Sequence, residues 1–320
     1  MFLTAMDHTT KRHIFIINPH AGSKRHTDEV AEQVRQLNIG AEMYVTRCPR
    51  DATRIVEDFC NRHSNEPLRF YACGGDGTLG EVVSGVLRHP AAEVGCFPCG
   101  SGNDYVKYWP DIDFRDIRAL VSAPSVPVDL MRVSTGDEKR YCINMMNLGF
   151  EAAVCRNMDM LRSKPVVGGR MAYTSGIVYS LLNDRHHPCR ISLDGEAWHE
   201  GDIMLGSLAN GRYAGGGYCC APRSVNDDGI LDAMIVRPIS VARFATLISL
   251  YRKGLHLDSP KMRDMVEHRR CRRAVVESQK PLCAALDGEV LCSSHFEIEN
   301  IQHGIRFLLP SRFATAKNSE

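Results

Sequence analysis

Cys73-Gly74-Gly75-Asp76-Gly77-Thr78-Leu79-Gly80-Glu81-Val82 follows the apolar run Leu68 to Cys73 and leads into a helical pattern, Leu79 to Arg88. A glycine cluster that leaves a strand and opens a helix lets backbone N–H groups approach phosphate oxygens, and the helix N-terminus adds positive potential. By letter pattern Gly75, Gly77 and Gly80 satisfy the dinucleotide signature GxGxxG and, with Val82, the protein-kinase glycine loop. The protein-kinase pattern fails, because the chain contains no HRD or DFG triplet. The dinucleotide pattern suffers on position, since the loop follows the third strand-like run rather than the first, and on charge. A carboxylate beside phosphate oxygens is repulsive unless a cation lies between them, so Asp76 points to a Mg2+-bound nucleotide. The plainer alternative is a glycine turn in which Asp76 only caps the helix.

Outward from this loop, short apolar runs alternate with helical patterns. Arg12 to Ile17 reads as a buried strand. Thr27 is placed to cap a helix with Asp28 and Glu29 in its first turn and Val30, Val34 and Leu37 on one face, closed by Gly40. Glu42 to Thr46 is a second strand, and Ala52, Ile55, Val56, Phe59 and Cys60 recur at amphipathic helical spacing. With Val94 to Pro98 as a fourth strand, the order predicts an α/β, doubly wound, mostly parallel sheet whose ligands bind at the carboxyl ends of the strands. Two more strand ends carry flexible polar loops, Asn18-Pro19-His20-Ala21-Gly22-Ser23-Lys24-Arg25 and Pro98-Cys99-Gly100-Ser101-Gly102-Asn103-Asp104. Either alone is an ordinary turn. Three at one sheet edge suit a triphosphate.

Beyond Ser122 the texture changes, starting at Ala123-Pro124-Ser125-Val126-Pro127. Strand-like segments then dominate: Val128 to Val133, Tyr141 to Asn147, Cys189 to Leu193, Asp202 to Leu208, Leu231 to Val236, Ala274 to Glu277, Leu282 to Leu286 and Phe296 to Ile298. Helical patterns interrupt them near Met171 to Leu182 and Val241 to Tyr251. A second, β-rich domain is expected, which fits a chain of 320 residues.

Composition narrows the function. With 44% hydrophobic and 24% charged residues the chain is of ordinary globular type, and a net charge of +1 gives no field drawing it to nucleic acid. The apolar stretch Ile239 to Leu257 is interrupted by Arg243, Arg252 and Lys253, so no bilayer span is expected. Met1 to Arg12 lacks the order of a secretory signal, which makes the thirteen cysteines thiols by expectation, the pair Cys96 and Cys99 included. His186 and His187 have no further ligands at metal spacing and read as a surface turn, and Trp109 and Trp198 as packing residues.

The set NPHAG, GGDGTLGEV and PCGSGND resembles the diacylglycerol-kinase catalytic family, especially its bacterial soluble lipid kinases, when joined by Gly215-Gly216-Gly217 with Pro222, Asn226-Asp227-Asp228-Gly229-Ile230-Leu231-Asp232, and Asp287-Gly288-Glu289. The match runs from about Ile14 to about Pro310. The resemblance implies an ATP-binding α/β domain over 1–127, joined by a C-terminal return over 300–320, and a sandwich-like lipid domain over 128–299. It implies that Asn18, Pro19, His20, Ala21, Gly22, Thr46, Gly74, Gly75, Asp76, Gly77, Thr78, Leu79, Gly80 and Ser101 line the ATP site. It further implies that Asp76 positions a catalytic Mg2+, that Glu289, supported by Asp287, accepts the proton of a lipid hydroxyl, and that the reaction takes place between the domains. A structural Mg2+ would be held by the carbonyls of Val225 and Ile230 and the side chain of Asp228. Read without the resemblance, Asp227-Asp228-Gly229 and Asp287-Gly288 are hairpin turns. Two departures stand out: Gly80 occupies a position usually Asn, and Ser101 one more often Thr.

The expected partner is a lipid alcohol such as diacylglycerol, reached by peripheral membrane contact from a cytoplasmic location, transiently at the inner face. Oligomeric state is left open, a homodimer among the options. Two segments could meet the membrane: the helical face Val241, Phe244, Ala245, Ile248 and Tyr251, which a core helix would share, and the basic run His268 to Arg273, which a solvated loop would share. Rival readings are a kinase for a soluble substrate, since NAD kinases and phosphofructokinases share a GGDG turn, an NAD(P) oxidoreductase, and a non-catalytic lipid-binding module.

Overall fold

In the computed structural model, which describes residues 11–22, 26–162, 177 and 179–310, the chain divides into two compact units. Of the described residues, the first takes those through Ser101, Asp111–Pro127 and those from Ile305 onward. The second takes Gly102–Pro110 and Val128–Gly304, so part of the loop after the fourth strand belongs with the β-rich portion.

The first unit runs β1 (Arg12–Ile17), α1 (His26–Gln36), β2 (Glu42–Val45), α2 (Asp51–Arg62), β3 (Leu68–Gly74), α3 (Asp76–Val86), β4 (Glu93–Pro98) and α4 (Ile117–Val121). The strands lie parallel in the order β4-β3-β1-β2, with Ile17 beside both Cys73 and Val45. Alternate residues face opposite sides, and both sides are covered, which is why these strands read as continuous apolar runs. On one side Phe15 stacks on Tyr71 with centroids 4.3 Å apart, under Val30 and Val34 of α1 and Leu120 of α4. On the other, Phe59 of α2 meets Phe70 edge-on at 5.9 Å. Gly85 lets α3 approach α2 so closely that a Cβ there would lie 2.6 Å from Val56.

The second unit contains β5 (Ser125–Ser134, entering from the first), β6 (Lys139–Cys142), β7 (Met145–Gly149), α5 (Phe150–Arg162), β8 (His187–Leu193), β9 (Glu196–Ile203), β10 (Leu205–Ala209), β11 (Leu231–Val236), α6 (Val241–Arg252), β12 (Val266–Cys271), β13 (Arg273–Leu286) and β14 (Glu289–Leu308). Antiparallel pairing gives the order β12-β11-β10-β7-β13-β14, with β8 on β13 and β9 on β8. Met146, Leu208, Leu231, Ile235, Val276 and Phe296 are part of its core. The last residues of β14 pair with β4 in parallel, Arg306 beside Glu93 and Phe307 beside Val94. The expected α/β unit and sandwich-like β-rich unit are both present.

Several expectations need correction. Cys283 and Cys292 are joined by a disulfide, so eleven cysteines are free rather than all thirteen. The β13–β14 register sets the two directly opposite each other, and that pairing decides over the compartment argument. Cys96 and Cys99 are buried free thiols, as expected. Thr27 lies inside α1, which begins at His26. On α6 the inward residues include Leu247, which is buried, with Phe244, Ile248 and Tyr251 half-buried, whereas Val241 and Ala245 are exposed. The basic run is strand β12 with its continuation into β13, not a loop. Ser23, Lys24 and Arg25 lie outside the described residues, as does most of Met171 to Leu182.

Candidate active site

Three loops at the carboxyl ends of β1, β3 and β4 are tied to one another. Asn18 Nδ2 donates to Thr78 Oγ1 at 3.0 Å, joining the first loop to α3. Asn18 Oδ1 accepts the His20 N–H at 2.9 Å, which shapes the turn through Pro19 and Ala21. The N–H groups of Cys99 and Gly100 donate to the Gly74 carbonyl at 2.8 and 3.2 Å, joining the β4 loop to the glycine cluster. Gly22, at φ 68°, approaches the β4 loop so closely that a Cβ would lie 2.1 Å from the Cys99 carbonyl oxygen, and only glycine satisfies both demands. Gly74 is equally constrained, since a Cβ there would meet Thr78 Oγ1 at 2.2 Å.

Gly75 is the extended N-cap of α3 and Asp76 its first residue. A Cβ on Gly77 or on Gly80 would meet nothing within 4 Å, so the first turns of α3 border open space where phosphates could approach. Leu79 turns its side chain into the core, and its N–H donates to the Gly75 carbonyl at 3.1 Å. Thr46, at the end of β2, is held by its N–H on the Ile17 carbonyl at 2.9 Å. Ser101 is exposed at the rim of the first unit. Glu81, to which the motif assigned no task, accepts the N–H groups of Arg50 and Ala52 at 3.0 and 3.1 Å and so anchors the start of α2 beside α3.

In the second unit, Asp287 (φ 47°) and Gly288 (φ 94°) form the two-residue turn between β13 and β14. The turn is more than a connection. The Asp287 carboxylate accepts the N–H groups of Ile143 at 2.8 Å, Asn144 at 3.2 Å and Met145 at 3.0 Å, and the Cys142 thiol at 3.0 Å. Those bonds fix the turn against the β6–β7 connection, and Glu289 follows as the first residue of β14. Glu289 is exposed, with Arg140 Nη1 at 4.0 Å.

The metal-loop residues tell a different story. Asp228 Oδ1 accepts the Ile230 N–H at 3.0 Å, and Oδ2 accepts the guanidinium of Arg270. A cation already meets this carboxylate, and among the described residues no group of three or more His, Cys, Asp or Glu side chains could hold a metal ion. In this arrangement the Asp228 carboxylate is taken up by Arg270, and a metal role for Val225, Asp228 and Ile230 stays an expectation. The loop is secured instead by Asp129, fully buried on β5, which accepts the Gly229 N–H at 2.6 Å, Asn300 Nδ2 at 3.0 Å and the His303 N–H at 2.8 Å. A lone carboxylate inside the apolar run Val128 to Met131 was the signal for it.

The second unit also contains a partly open cavity of about 220 Å³ whose walls include Phe150, Val154, Met204, Val236, Phe244 and Leu247. Among the described residues no helix is long and apolar enough to cross a membrane.

Comparison with known proteins gives two family matches. The diacylglycerol kinase catalytic domain matches residues 12–133, and the YegS C-terminal NAD kinase beta sandwich-like domain matches residues 144–306. A protein of Xanthomonas euvesicatoria named "Probable lipid kinase YegS-like" is 29% identical over 304 residues, covering 92% of this chain and 95% of its own length. One of the same name from Stenotrophomonas maltophilia is 28% identical, covering 95% and 97%. The crystal structure of a diacylglycerol kinase from Bacillus anthracis superposes with a TM-score of 0.65 at 19% identity, covering 93% of this chain and 96% of that one. That likeness speaks to the fold.

Proposed function

Because the chain belongs to the diacylglycerol-kinase catalytic family, with the YegS-type C-terminal domain, we propose that it is an ATP-dependent lipid kinase transferring the γ-phosphoryl group to the hydroxyl of a lipid such as diacylglycerol. The observation that carries this reading is the mutual bracing of the three loops through Asn18, Gly22, Gly74, Thr78 and Cys99, with Asp76 at the head of α3. Phosphoryl transfer asks little covalent work of a protein, so preset loops that align the phosphates supply most of the catalysis. Asp76 offers the hard oxygen that suits Mg2+, which when bound neutralises phosphate charge. Glu289 takes the proton of the lipid hydroxyl, and Asp287 positions it by pinning the turn. Nothing is routed through the Asp228 loop. Work on a lipid places the enzyme transiently at the inner face of the membrane.

Radiolabelled ATP with a panel of lipid alcohols, and with NAD as a soluble acceptor, tests the reading by thin-layer chromatography. Labelled lipid is expected in wild type. Asp76→Asn and Glu289→Gln should each lower kcat by roughly 100-fold or more with an unchanged circular dichroism spectrum. Label on NAD alone would replace the lipid reading, and near-wild-type turnover in either variant would remove that residue from the mechanism.

A further inference from the structure

The cavity of the second unit holds two polar side chains that the transfer chemistry leaves unused. Glu151, in the first turn of α5, lines it, and among the described residues no hydrogen bond reaches its carboxyl. Burial, reinforced by the negative charge of Asp104, pushes its pKa up to about 7. Tyr251, near the end of α6, also lines the cavity, and its buried hydroxyl has the weakly bonding Cys220 thiol as neighbour and no nitrogen or oxygen partner. Folded proteins leave few buried polar groups unpaired, because each costs free energy. The Tyr251 hydroxyl is such a group, and it shares this otherwise apolar cavity with the half-buried Glu151 carboxyl, so the pair points to a ligand that supplies what they lack.

Their location relates the cavity to the chemistry. Tyr251 and Cys220 pack in one cluster with Met145, whose N–H is held by Asp287 at 3.0 Å. The polar end of the cavity therefore adjoins the turn that presents Glu289, and apolar walls extend from it along α5, β11 and α6. The missing group must satisfy a carboxyl and a phenol together. A carbonyl only accepts and an ammonium only donates, whereas a hydroxyl does both. At about 220 Å³ the cavity is not much larger than one of about 150 Å³ that holds a benzene ring, so it takes part of one alkyl chain rather than two.

Resting on the lipid-kinase reading, we propose that Glu151 and the Tyr251 hydroxyl are specificity-determining groups that recognise a second hydroxyl beside the acceptor hydroxyl of a single-chain lipid, as in a monoacylglycerol. The chain lies along Val154, Val236 and Leu247.

Initial rates with ATP and three acceptors test this: a monoacylglycerol, a long-chain alkan-1-ol lacking the second hydroxyl, and a diacylglycerol. Wild type should show kcat/KM at least tenfold higher for the monoacylglycerol than for either of the others. Glu151→Leu and Tyr251→Phe should each abolish that preference by raising the monoacylglycerol KM about tenfold, leaving kcat, the KM for ATP and the alkanol KM within twofold. Glu151→Gln, which still donates and accepts, should retain most of the preference. Glu151→Leu should melt no lower than wild type, since it places an apolar side chain in an apolar wall. A wild type that treats the three lipids alike, or a Glu151→Leu variant that keeps the preference, would overturn the proposal. Absence of any lipid phosphorylation would instead sink the kinase reading. Equilibrium binding of monoacylglycerol against alkanol would then decide the cavity's role: a preference lost in Glu151→Leu supports it, and equal binding by wild type defeats it.

Discussion

Glu93 is a nearly buried carboxylate surrounded by cations in the first unit: Arg69 Nε at 2.6 Å, Lys11 Nζ at 3.0 Å and Arg306 Nη2 at 3.5 Å, with Ser125 Oγ donating at 2.7 Å. Burial alone would raise its pKa, but the hydrogen bonds from Ser125, Lys11 and Arg69 outweigh that and bring it down to about 2. A depressed carboxylate stabilises the fold above its unfolded pKa, and the contribution fades as pH falls from about 4.5 to about 2. At roughly 1.4 kcal/mol per pKa unit the contribution near neutrality is on the order of 3 kcal/mol. Glu93→Gln should accordingly melt well below wild type at pH 7, and the gap should narrow steadily toward pH 2. A gap independent of pH would deny the carboxylate its role. At this scale the sequence was informative where a residue acts through its neighbours in the chain, as Gly74 and Asp76 do in the glycine loop. Glu81 was hidden because its partners at the start of α2 are distant in sequence and offer only backbone N–H groups, and Asp129 stood out only as a carboxylate in an apolar run, since Gly229, Asn300 and His303 lie 100 residues or more away.

Among the elements, the β13–β14 hairpin shows what local pattern could and could not reveal. Asp287-Gly288 suits a tight turn on residue type alone, but the bonds that make the turn a clamp come from residues 143–145, and no spacing rule reaches them. The same bonds divide the expected strand Tyr141 to Asn147 into β6 and β7, since those N–H groups go to Asp287 rather than to a strand neighbour. The run His268 to Arg273 hid a strand for another reason. β12 lies at one end of the sheet order, and edge strands commonly carry charge that discourages further pairing. There His268 Nε2 meets Asp232 Oδ1 at 2.6 Å. Helix α5 was missed because its apolar residues continue the strand-like run before it. If the clamp positions Glu289, Asp287→Ala should do two things. It leaves three N–H groups without their acceptor, a loss of roughly 2–4 kcal/mol by denaturant titration. It should also lower kcat much more than it raises the KM for ATP, whose loops belong to the first unit. A variant with normal kcat and lowered stability would reduce Asp287 to a structural role.

For the molecule as a whole, the chain order and the units disagree in an instructive way. Periodicity separated an α/β portion from a β-rich one near Pro127, because the texture of the sequence changes there. It carried no sign that the chain comes back, since Ile305 to Leu308 is one more apolar run in a β-rich stretch, and only the family resemblance implied a return. Yet Phe307 and Leu308 are fully buried in the first unit, Phe307 packs against Phe114 with centroids 6.1 Å apart, and Arg306 and Phe307 pair with β4. The first unit is therefore completed by residues that follow the whole of the second. Phe307→Ala should cost about 3–5 kcal/mol, a large share of the roughly 5–15 kcal/mol that holds a domain together. The loss should fall on the first unit, so ATP affinity and protection of the β1, β3 and β4 amides from hydrogen exchange should decline together, while amides of β10 and β11 keep their protection. Equal loss of protection in both sets would mean that the two units unfold as one, and Phe307 would then support the entire chain rather than the first unit.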